Sequence, residues 1–242
     1  MDTSMDTSTN TSMKRLFNEI AQPEHPPIKK IKLAENSTTS IMDFSDIMKI
    51  ISFYTFFIVK TTEQLRQFKE NDISKYFNHM LYNCEDPIHP GDVPNHITHL
   101  EFGHFFNHPI QPDIFPSNLH TLTFGYCFNQ EFVLPDTIRS LTIKGRYDKK
   151  ITRLPTKLQE LIMNGQFNQP LVLPNGLKRF KCTWKFNQPI KLPASLIYLE
   201  VGKNFNQLLA LPIGLLKFRV HKNYTQEVNC PLGCVRIDKT FL

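Results

Sequence analysis

Residues 166–174 read QFNQPLVLP and residues 185–193 read KFNQPIKLP, so one phrase recurs after 19 residues. The closing proline of this phrase belongs to a longer ladder: Pro94, Pro116, Pro135, Pro155, Pro174, Pro193, Pro212 and Pro231. Successive prolines are 22, 19, 20, 19, 19, 19 and 19 residues apart. A fixed period near 20 residues indicates a solenoid in which each repeat forms one coil.

Apolar residues stand three, six and eight positions after the prolines, as Leu177, Phe180 and Cys182 do after Pro174. The last two of these positions alternate with polar ones, which predicts one short strand in each coil. A lone strand cannot bury its apolar side, whereas stacked coils form a parallel sheet over a continuous core. Coils of 19–22 residues leave no room for a return helix. We therefore expect a mostly β, leucine-rich-repeat-like solenoid.

An aromatic residue stands twelve positions after each of the first seven prolines, and Asn or Asp follows the first six of these aromatics. We expect the aromatics to stack as a second core column. A repeated Asn can bond the backbone of the neighbouring coil. The phrases at 147–150 and 224–227 keep the aromatic but depart from F-N-Q-P. These repeated letters are interpreted as scaffold and not as binding residues.

Positive charge is concentrated in the repeats. Residues 91–242 hold 18 basic and 10 acidic residues, a net charge of +8, against zero for 1–40 and −2 for 41–90. This surplus suits an acidic protein surface or a nucleic acid as partner. Five cysteines without paired spacing and a polar N-terminus indicate an intracellular setting, cytoplasmic or nuclear, and not a secreted one. The apolar stretch 50–59 is shorter than the ~20 residues that span a bilayer, so no membrane role is expected.

The phrases FNQP at 167–170 and 186–189, FNHP at 106–109, and FNQ at 128–130 and 205–207 resemble the FNIP repeat family. The resemblance covers roughly residues 91–230. Proteins of this kind occur in social amoebae and in giant DNA viruses of amoebae, so the resemblance implies an amoebal source, or a viral one acting in a host cell. Several of them resemble F-box proteins, with an F-box before the repeats.

Residues 1–40 are rich in Ser, Thr and Asn and then in Pro, which predicts a disordered polar and basic tail. Two basic clusters in it are spaced like a bipartite nuclear import signal: Lys14, Arg15, Lys29, Lys30 and Lys32. Such clusters also arise by chance in polar tails, so the nuclear and cytoplasmic alternatives stay open.

Residues 41–90 are predicted to form a helical segment that precedes a solenoid over residues 91–242. The apolar pattern of 44–51 has helical spacing, and Thr61-x-x-Gln64 is a capping box before a second helix. A third helix is expected from Asn71, with its apolar residues at Tyr76, Phe77, Met80 and Leu81.

Three short helices resemble an F-box, and the segment DIMKIISFY at 46–54 resembles part of its first helix. This resemblance implies that the Skp-type adaptor of a cullin ubiquitin ligase would dock on Ile47, Ile50, Ile51 and Phe53. The alternative is a helical cap that covers the open end of the first coil, because solenoids need capped ends.

Six histidines between 89 and 120, together with Cys230-x-x-x-Cys234, invite a zinc interpretation. In repeat register, however, the histidines point in different directions, and both cysteines fall in core columns, where buried thiols are expected. The sequence holds no nucleophile elbow, phosphate-binding loop or zinc-protease motif. It therefore predicts no enzyme, no metal site and no cofactor.

Positions five and seven after each proline should face away from the core, on the concave side of the solenoid. In the C-terminal half they hold candidate partner-binding residues: Arg179, Lys181, Tyr198, Glu200, Lys217 and Arg219. Solenoids bind on such surfaces, and Tyr and Arg often anchor protein interfaces. The plainer interpretation is a solvated charged face. Glu160 and Glu200 interrupt the basic track that a nucleic acid would need.

The sequence thus predicts a non-enzymatic protein–protein interaction module with its target on the repeat surface. With an F-box it would be the substrate-recognition subunit of a cullin-type ubiquitin ligase. The alternatives are a repeat-only binding scaffold without a ligase link and a basic solenoid that binds nucleic acid.

Overall fold

The computed structural model of the protein describes residues 57–70, 72–111 and 113–239. Ten parallel strands form one sheet and pair in sequence order. They are β1 Phe57–Val59, β2 His79–Tyr82, β3 His99–Phe102, β4 Thr121–Phe124, β5 Ser140–Gly145, β6 Glu160–Gly165, β7 Arg179–Trp184, β8 Tyr198–Val201, β9 Lys217–His221 and β10 Val235–Lys239. Helix α1, Thr62–Glu70, and a 3-10 turn, Asp72–Tyr76, connect β1 to β2. The expected mostly β, parallel solenoid is confirmed.

Each coil begins with a turn at the proline and continues into its strand. In the coil of Pro116, the N–H of Leu119 donates to the proline carbonyl at 3.0 Å. Leu119, Leu122 and Phe124 are fully buried, while the residues between them in β4 are partly exposed. The alternation follows from the two-residue period of a strand, and it directs every second side chain into one continuous core.

The aromatic column forms as expected. Successive ring centroids are 5.9–6.3 Å apart, and the interplanar angles do not exceed 16°. The column comprises Phe106, Phe128, Tyr147, Phe167, Phe186, Phe205 and Tyr224. Every member is buried, so each coil extends the core of the coil before it.

The Asn that follows each aromatic bonds the next coil, as expected. The side-chain oxygen of Asn168 accepts from the N–H of Asn187 at 2.8 Å, and that of Asn187 accepts from Asn206 at 2.9 Å. The neighbouring Gln188 donates its side-chain amide to the carbonyl of Asn168 at 3.0 Å. These bonds satisfy backbone groups that no strand pairs, which explains the recurrence of F-N-Q.

The two degenerate phrases continue the stack. Asp148 takes the Asn position, accepting from Asn168 N–H at 2.8 Å and donating its own N–H to Asn129 at 3.0 Å. A carboxylate oxygen accepts as well as an amide oxygen does. Thr225 donates its N–H to Asn206 at 2.9 Å. The phrases at 147–150 and 224–227 therefore preserve the ladder of coil-to-coil bonds.

The sheet begins within the segment 41–90, and the third helix expected there is wrong. Met80 and Leu81 lie in β2, which pairs with both β1 and β3. Phe77 N–H donates to Ser74 O at 3.0 Å, as the residue three after each proline does, and Met80 is the register partner of Leu100. A strand is favoured here because it pairs the backbone of β3, which would otherwise be an open edge.

The second expected helix is α1, and its start follows the capping pattern. Thr61 accepts the N–H of Gln64 at 3.1 Å, and the Gln64 side chain accepts the N–H of Lys60 at 2.8 Å. Leu65 is buried against the first coils. The tail 1–40 with its basic clusters, and the first expected helix with Ile47, Ile50, Ile51 and Phe53, lie outside the described residues.

Candidate functional site

Side chains at positions five and seven of the coils form the surface of the sheet that points away from the core, here called the outer face. On β7, β8 and β9 this surface brings the six predicted partner-binding residues together. Arg179, Tyr198 and Lys217 are register partners across the three strands. The second row, two residues further along, is Lys181, Glu200 and Arg219. Residues up to 40 positions apart in the sequence, Arg179 and Arg219, are thereby brought onto one surface.

Glu200 is the centre of this cluster, and it differs from the expectation of a solvated contact residue. Its side chain is only 1% exposed, with Lys181 Nζ at 3.4 Å from Oε1 and Arg219 Nη1 at 3.7 Å from Oε2. The hydroxyl of Tyr198 donates to Oε2. A carboxylate with two cations and a hydroxyl is adequately compensated for its burial. Glu200 therefore fixes the positions of Lys181, Arg219 and Tyr198.

Tyr198 links the two rows of the cluster. Burial raises the pKa of its hydroxyl, and the hydrogen bond to Glu200 raises it further. The protonated hydroxyl donates to Glu200 and accepts from Arg219 Nη1 at 3.4 Å. The guanidinium of Arg179 lies 4.2 Å from the Tyr198 ring centroid, within cation–π range. It also pairs with Glu160 at 2.8 Å.

The cluster keeps a positive surplus. Four cations, Arg179, Lys181, Lys217 and Arg219, face two carboxylates, Glu160 and Glu200, so the net charge is 4 − 2 = +2. Lys217 forms no ion pair within the described part of the chain. The Lys181 and Arg219 side chains remain 29% and 31% exposed. The arrangement presents ordered and partly hydrated cations, which can accept the carboxylates of an acidic partner.

The N-terminal half of the outer face has a different character. The rings of His79 and His99 meet edge to face, with centroids 3.9 Å apart. Burial lowers the pKa of His99 to about 4, with further lowering from His79 and His120. These rings are therefore neutral at physiological pH. Glu101 is paired with Lys144 at 2.7 Å, so the surplus of positive charge on the outer face belongs to β7–β9.

The described part of the chain holds no group of three or more His, Cys, Asp or Glu side chains placed to bind a metal ion. All five cysteines are free thiols. The expectation of two buried thiols in the last coil is wrong: Cys230 is exposed and Cys234 only partly buried. Cys182, covered by coils on both sides, is fully buried, and burial raises its pKa.

Comparison with protein families matches residues 82–127 and 186–227 to the FNIP repeat. The chain carries FNIP repeats. None of the curated proteins matches it. The crystal structure of CroV588, described as a novel circular LRR protein structure, is similar, with a TM-score of 0.64 and 33% sequence identity. The similarity covers 69% of this chain but 28% of the CroV588 chain, so this chain spans less than a third of that protein's length.

The FNIP matches explain which residues of the site are scaffold. The second matched region, 186–227, contains β8 and β9. Its phrase residues Phe186 and Phe205 are buried, whereas Tyr198 on β8 and Lys217 on β9 are partly exposed. The first matched region begins at Tyr82, the end of β2, in agreement with a coil before Pro94. Among the residues described, no helix has the length and apolarity to cross a bilayer.

Proposed function

We propose that this FNIP-repeat protein is a non-catalytic scaffold that holds an acidic protein partner on the outer face of β7–β9. One observation supports this assignment above the others: Lys181, Arg219 and the Tyr198 hydroxyl are ordered around the buried carboxylate of Glu200. The Arg179 guanidinium stacks on the Tyr198 ring of the same cluster. Ordering before binding lowers the entropy cost of association. The net charge of +2 supplies complementarity to carboxylates. The five free thiols agree with an intracellular, reducing setting.

Selection of a displayed random-peptide library on immobilised full-length protein tests this assignment. We expect the selected peptides to be rich in Asp and Glu and to lose binding when Lys217→Glu reverses one cation of the cluster. Lys191→Glu makes the same charge change on an exposed residue of a return segment and should leave the selected peptides bound. Peptides without acidic enrichment, or peptides that bind both variants equally, would refute the assignment.

An adaptor-docking role in a cullin ligase is the finer alternative, and its support is weaker. It rests on the resemblance of residues 46–54 to an F-box helix, and its third helix is replaced by strand β2. Helix α1 lies between two strands of the same sheet, which favours a cap on the first coils over a free-standing F-box. The ligase link therefore stays a prediction.

Co-purification with a Skp-type adaptor tests that role directly. A truncation at residue 91 is unsuitable because it removes β1 and β2 and exposes the edge of β3. The charge-introducing variants Ile50→Glu and Phe53→Glu change residues outside the described sheet and are compared with the unaltered chain at equal melting temperature. We expect adaptor retention by the unaltered chain and its loss from both variants if the F-box exists. No retention by the unaltered chain would leave the segment as a cap.

A further inference from the structure

The second surface of interest is the carboxyl-end rim of the sheet, formed by the positions nine to eleven after each proline. It comprises residues 103–105, 125–127, 144–146, 164–166, 183–185, 202–204 and 221–223. Backbone bonds join successive rim turns, such as Arg146 N–H to Tyr126 O at 2.8 Å and Gln166 N–H to Gly145 O at 2.8 Å. The rim is thus a continuous track along the stack of coils.

The rim carries only one sign of charge. It holds Lys144, Arg146, Lys185, Lys203 and Lys222, and neither Asp nor Glu occurs at any of its positions. Lys144 is neutralised by Glu101, whereas Lys185, Lys203 and Lys222 form no ion pair with any described residue. These three lysines lie on successive coils, ~4.8 Å apart per coil. Unlike the outer face, where Glu160 and Glu200 intervene, the rim suits a polyanion.

Trp184 is the most unusual residue of the rim. It is the single tryptophan of the chain, and its backbone has φ = 70°. Its register partner on the preceding strand is Gly165, and the strand before that has Gly145. Both glycines have positive φ, a conformation that costs an L-residue strain. A bulky residue in this strained backbone conformation points to a functional contact of its side chain.

That contact is not within the described fold. The Trp184 side chain is 56% exposed, and no ring stacking, cation–π contact or hydrogen bond joins it to a described residue. The residue in register with Trp184 on the preceding coil, Gly165, has no side chain to cover the indole. On the following coil, the register of β7 with β8 continues from Cys182 and Val201 to Trp184 and Lys203. A Cβ at Gly202 would lie 2.5 Å from the backbone nitrogen of Trp184, so this neighbour must remain glycine.

A second aromatic group lies three and four coils before Trp184, with Tyr126 on the nearer coil and His104 and Phe105 on the farther one. The rings of His104 and Tyr126 stack with centroids 5.1 Å apart, and the guanidinium of Arg146 lies 5.8 Å from the Tyr126 centroid. Phe105 beside them is 64% exposed. Three steps of ~4.8 Å place Tyr126 ~14 Å from Trp184 along the rim. Aromatic faces alternating with cations along a groove are typical of single-strand binding.

We propose that the rim binds single-stranded nucleic acid, with phosphates on Arg146, Lys185, Lys203 and Lys222 and a base stacked on Trp184. An acidic peptide would engage the lysines, but it would not require the exposed indole beside Gly165. Aromatic anchors of protein interfaces typically bind in desolvated pockets. Trp184 instead lies on an exposed turn, where a base can stack on its face. The rim site is separate from the outer face, so neither proposal depends on the other.

The intrinsic fluorescence of Trp184 tests this proposal because no other tryptophan contributes. Full-length protein is titrated with oligo-dT and oligo-rU of about 12 nucleotides, a length suited to such a track. We expect quenching of the emission on binding. The logarithm of the affinity should fall with the logarithm of salt concentration with a slope of about −2 to −3, from three or four phosphate contacts.

Variants separate stacking from charge. Trp184→Ala should weaken binding of labelled oligo-dT about tenfold, as loss of one base–aromatic stack does, whereas Trp184→Phe keeps a ring and most of the affinity. Reversal of Lys185, Lys203 and Lys222 to Glu should abolish binding. Lys191→Glu, which makes the same charge change on an exposed residue outside both surfaces, is the matched control and should leave oligonucleotide affinity unchanged.

Three results would overturn the proposal. The first is no quenching by either oligonucleotide. The second is equal affinity of the unaltered protein and Trp184→Ala in proteins with the same melting temperature. The third is an oligo-glutamate of the same length that quenches Trp184 and competes as well as oligo-dT, which would assign the rim to acidic peptides.

Discussion

At the scale of the single residue, the Asn that follows each buried aromatic has the clearest structural role. The side-chain oxygen of Asn168 accepts a hydrogen bond from the N–H of Asn187 on the next coil at 2.8 Å. The same oxygen accepts a second one from the Gln188 side-chain amide at 3.4 Å. A partly buried N–H that loses its acceptor keeps its desolvation cost. This explains why the phrase is copied from coil to coil and why its letters carry no information about the partner.

Replacement of Asn168 by Ala should lower the free energy of unfolding by about 1–2 kcal/mol, because the Asn187 N–H is left without its acceptor. Replacement by Asp should cost much less, since Asp148 already fills the same column in the preceding coil. Urea denaturation of the two variants and the unaltered chain measures the difference. Equal losses for Ala and Asp would show that the hydrogen bond is not what the column supplies.

Trp184 provides a second prediction at this scale. Its φ of 70° costs a residue with a Cβ about 1–2 kcal/mol, and glycine does not incur this cost. We therefore expect Trp184→Gly to be more stable than Trp184→Ala by about 1 kcal/mol, measured by urea denaturation. At Lys203 on the next coil, which has no positive φ, glycine should be the less stable of the two. A lower free energy of unfolding for Trp184→Gly than for Trp184→Ala would show that the backbone at this position is not strained.

Some residue roles could be read from sequence and others could not. The Asn and aromatic columns were predictable because their contacts repeat at a fixed interval. The burial of Glu200 was not, because it depends on three long side chains from three strands that close over it. Trp184 likewise looks ordinary in sequence, and its strain becomes visible only beside Gly145 and Gly165 in register.

At the scale of elements, β2 shows how a coil can be missed. Ser74 stands where the other coils have proline, and α1 occupies the preceding connection. The pattern Phe77-x-x-Met80-x-Tyr82 nevertheless has the spacing of the other strands, and all three residues are buried. Helical spacing and strand spacing are hard to distinguish in such short apolar runs. The sequence therefore predicted a third helix where the structure has strand β2.

The contact between β2 and β3 also makes stability depend on pH. Burial lowers the pKa of His99 to about 4 and lowers that of His79, whereas an unfolded His titrates near ~6.5. Below pH ~6.5 the two histidines bind protons in the unfolded chain but stay neutral in the native chain until a lower pH. The free energy of unfolding should therefore fall as pH falls from about 6.5 toward 4.

Thermal unfolding followed between pH 7 and pH 4.5 measures this effect. We expect His99→Asn to flatten the decline of the melting temperature over this range, and His89→Asn, at an exposed position, to leave it unchanged. The paired carboxyls of Glu63 and Asp136 have lowered pKa values and titrate below this window. An unaltered decline in His99→Asn would show that the two rings are not the source.

At the scale of the whole molecule, scaffold and function are divided between different columns of the same coils. Each coil contacts mainly its neighbours. The fold class and the repeat length therefore follow from the residue types that recur at fixed positions in every coil. The two proposed binding surfaces, the outer face of β7–β9 and the rim around Trp184, are formed by residues that do not repeat from coil to coil. Their position could be expected from strand alternation, but their charge balance depends on which cations are paired.

The most direct test of the central claim, that the partner is held by the cation cluster around Glu200, is the affinity of a selected acidic peptide measured by calorimetry. It is compared between the unaltered chain, Lys217→Glu and Lys191→Glu. We expect a loss of about tenfold or more for Lys217→Glu and an unchanged affinity for Lys191→Glu. Equal affinity for all three proteins, or an equal loss in both variants, would contradict it.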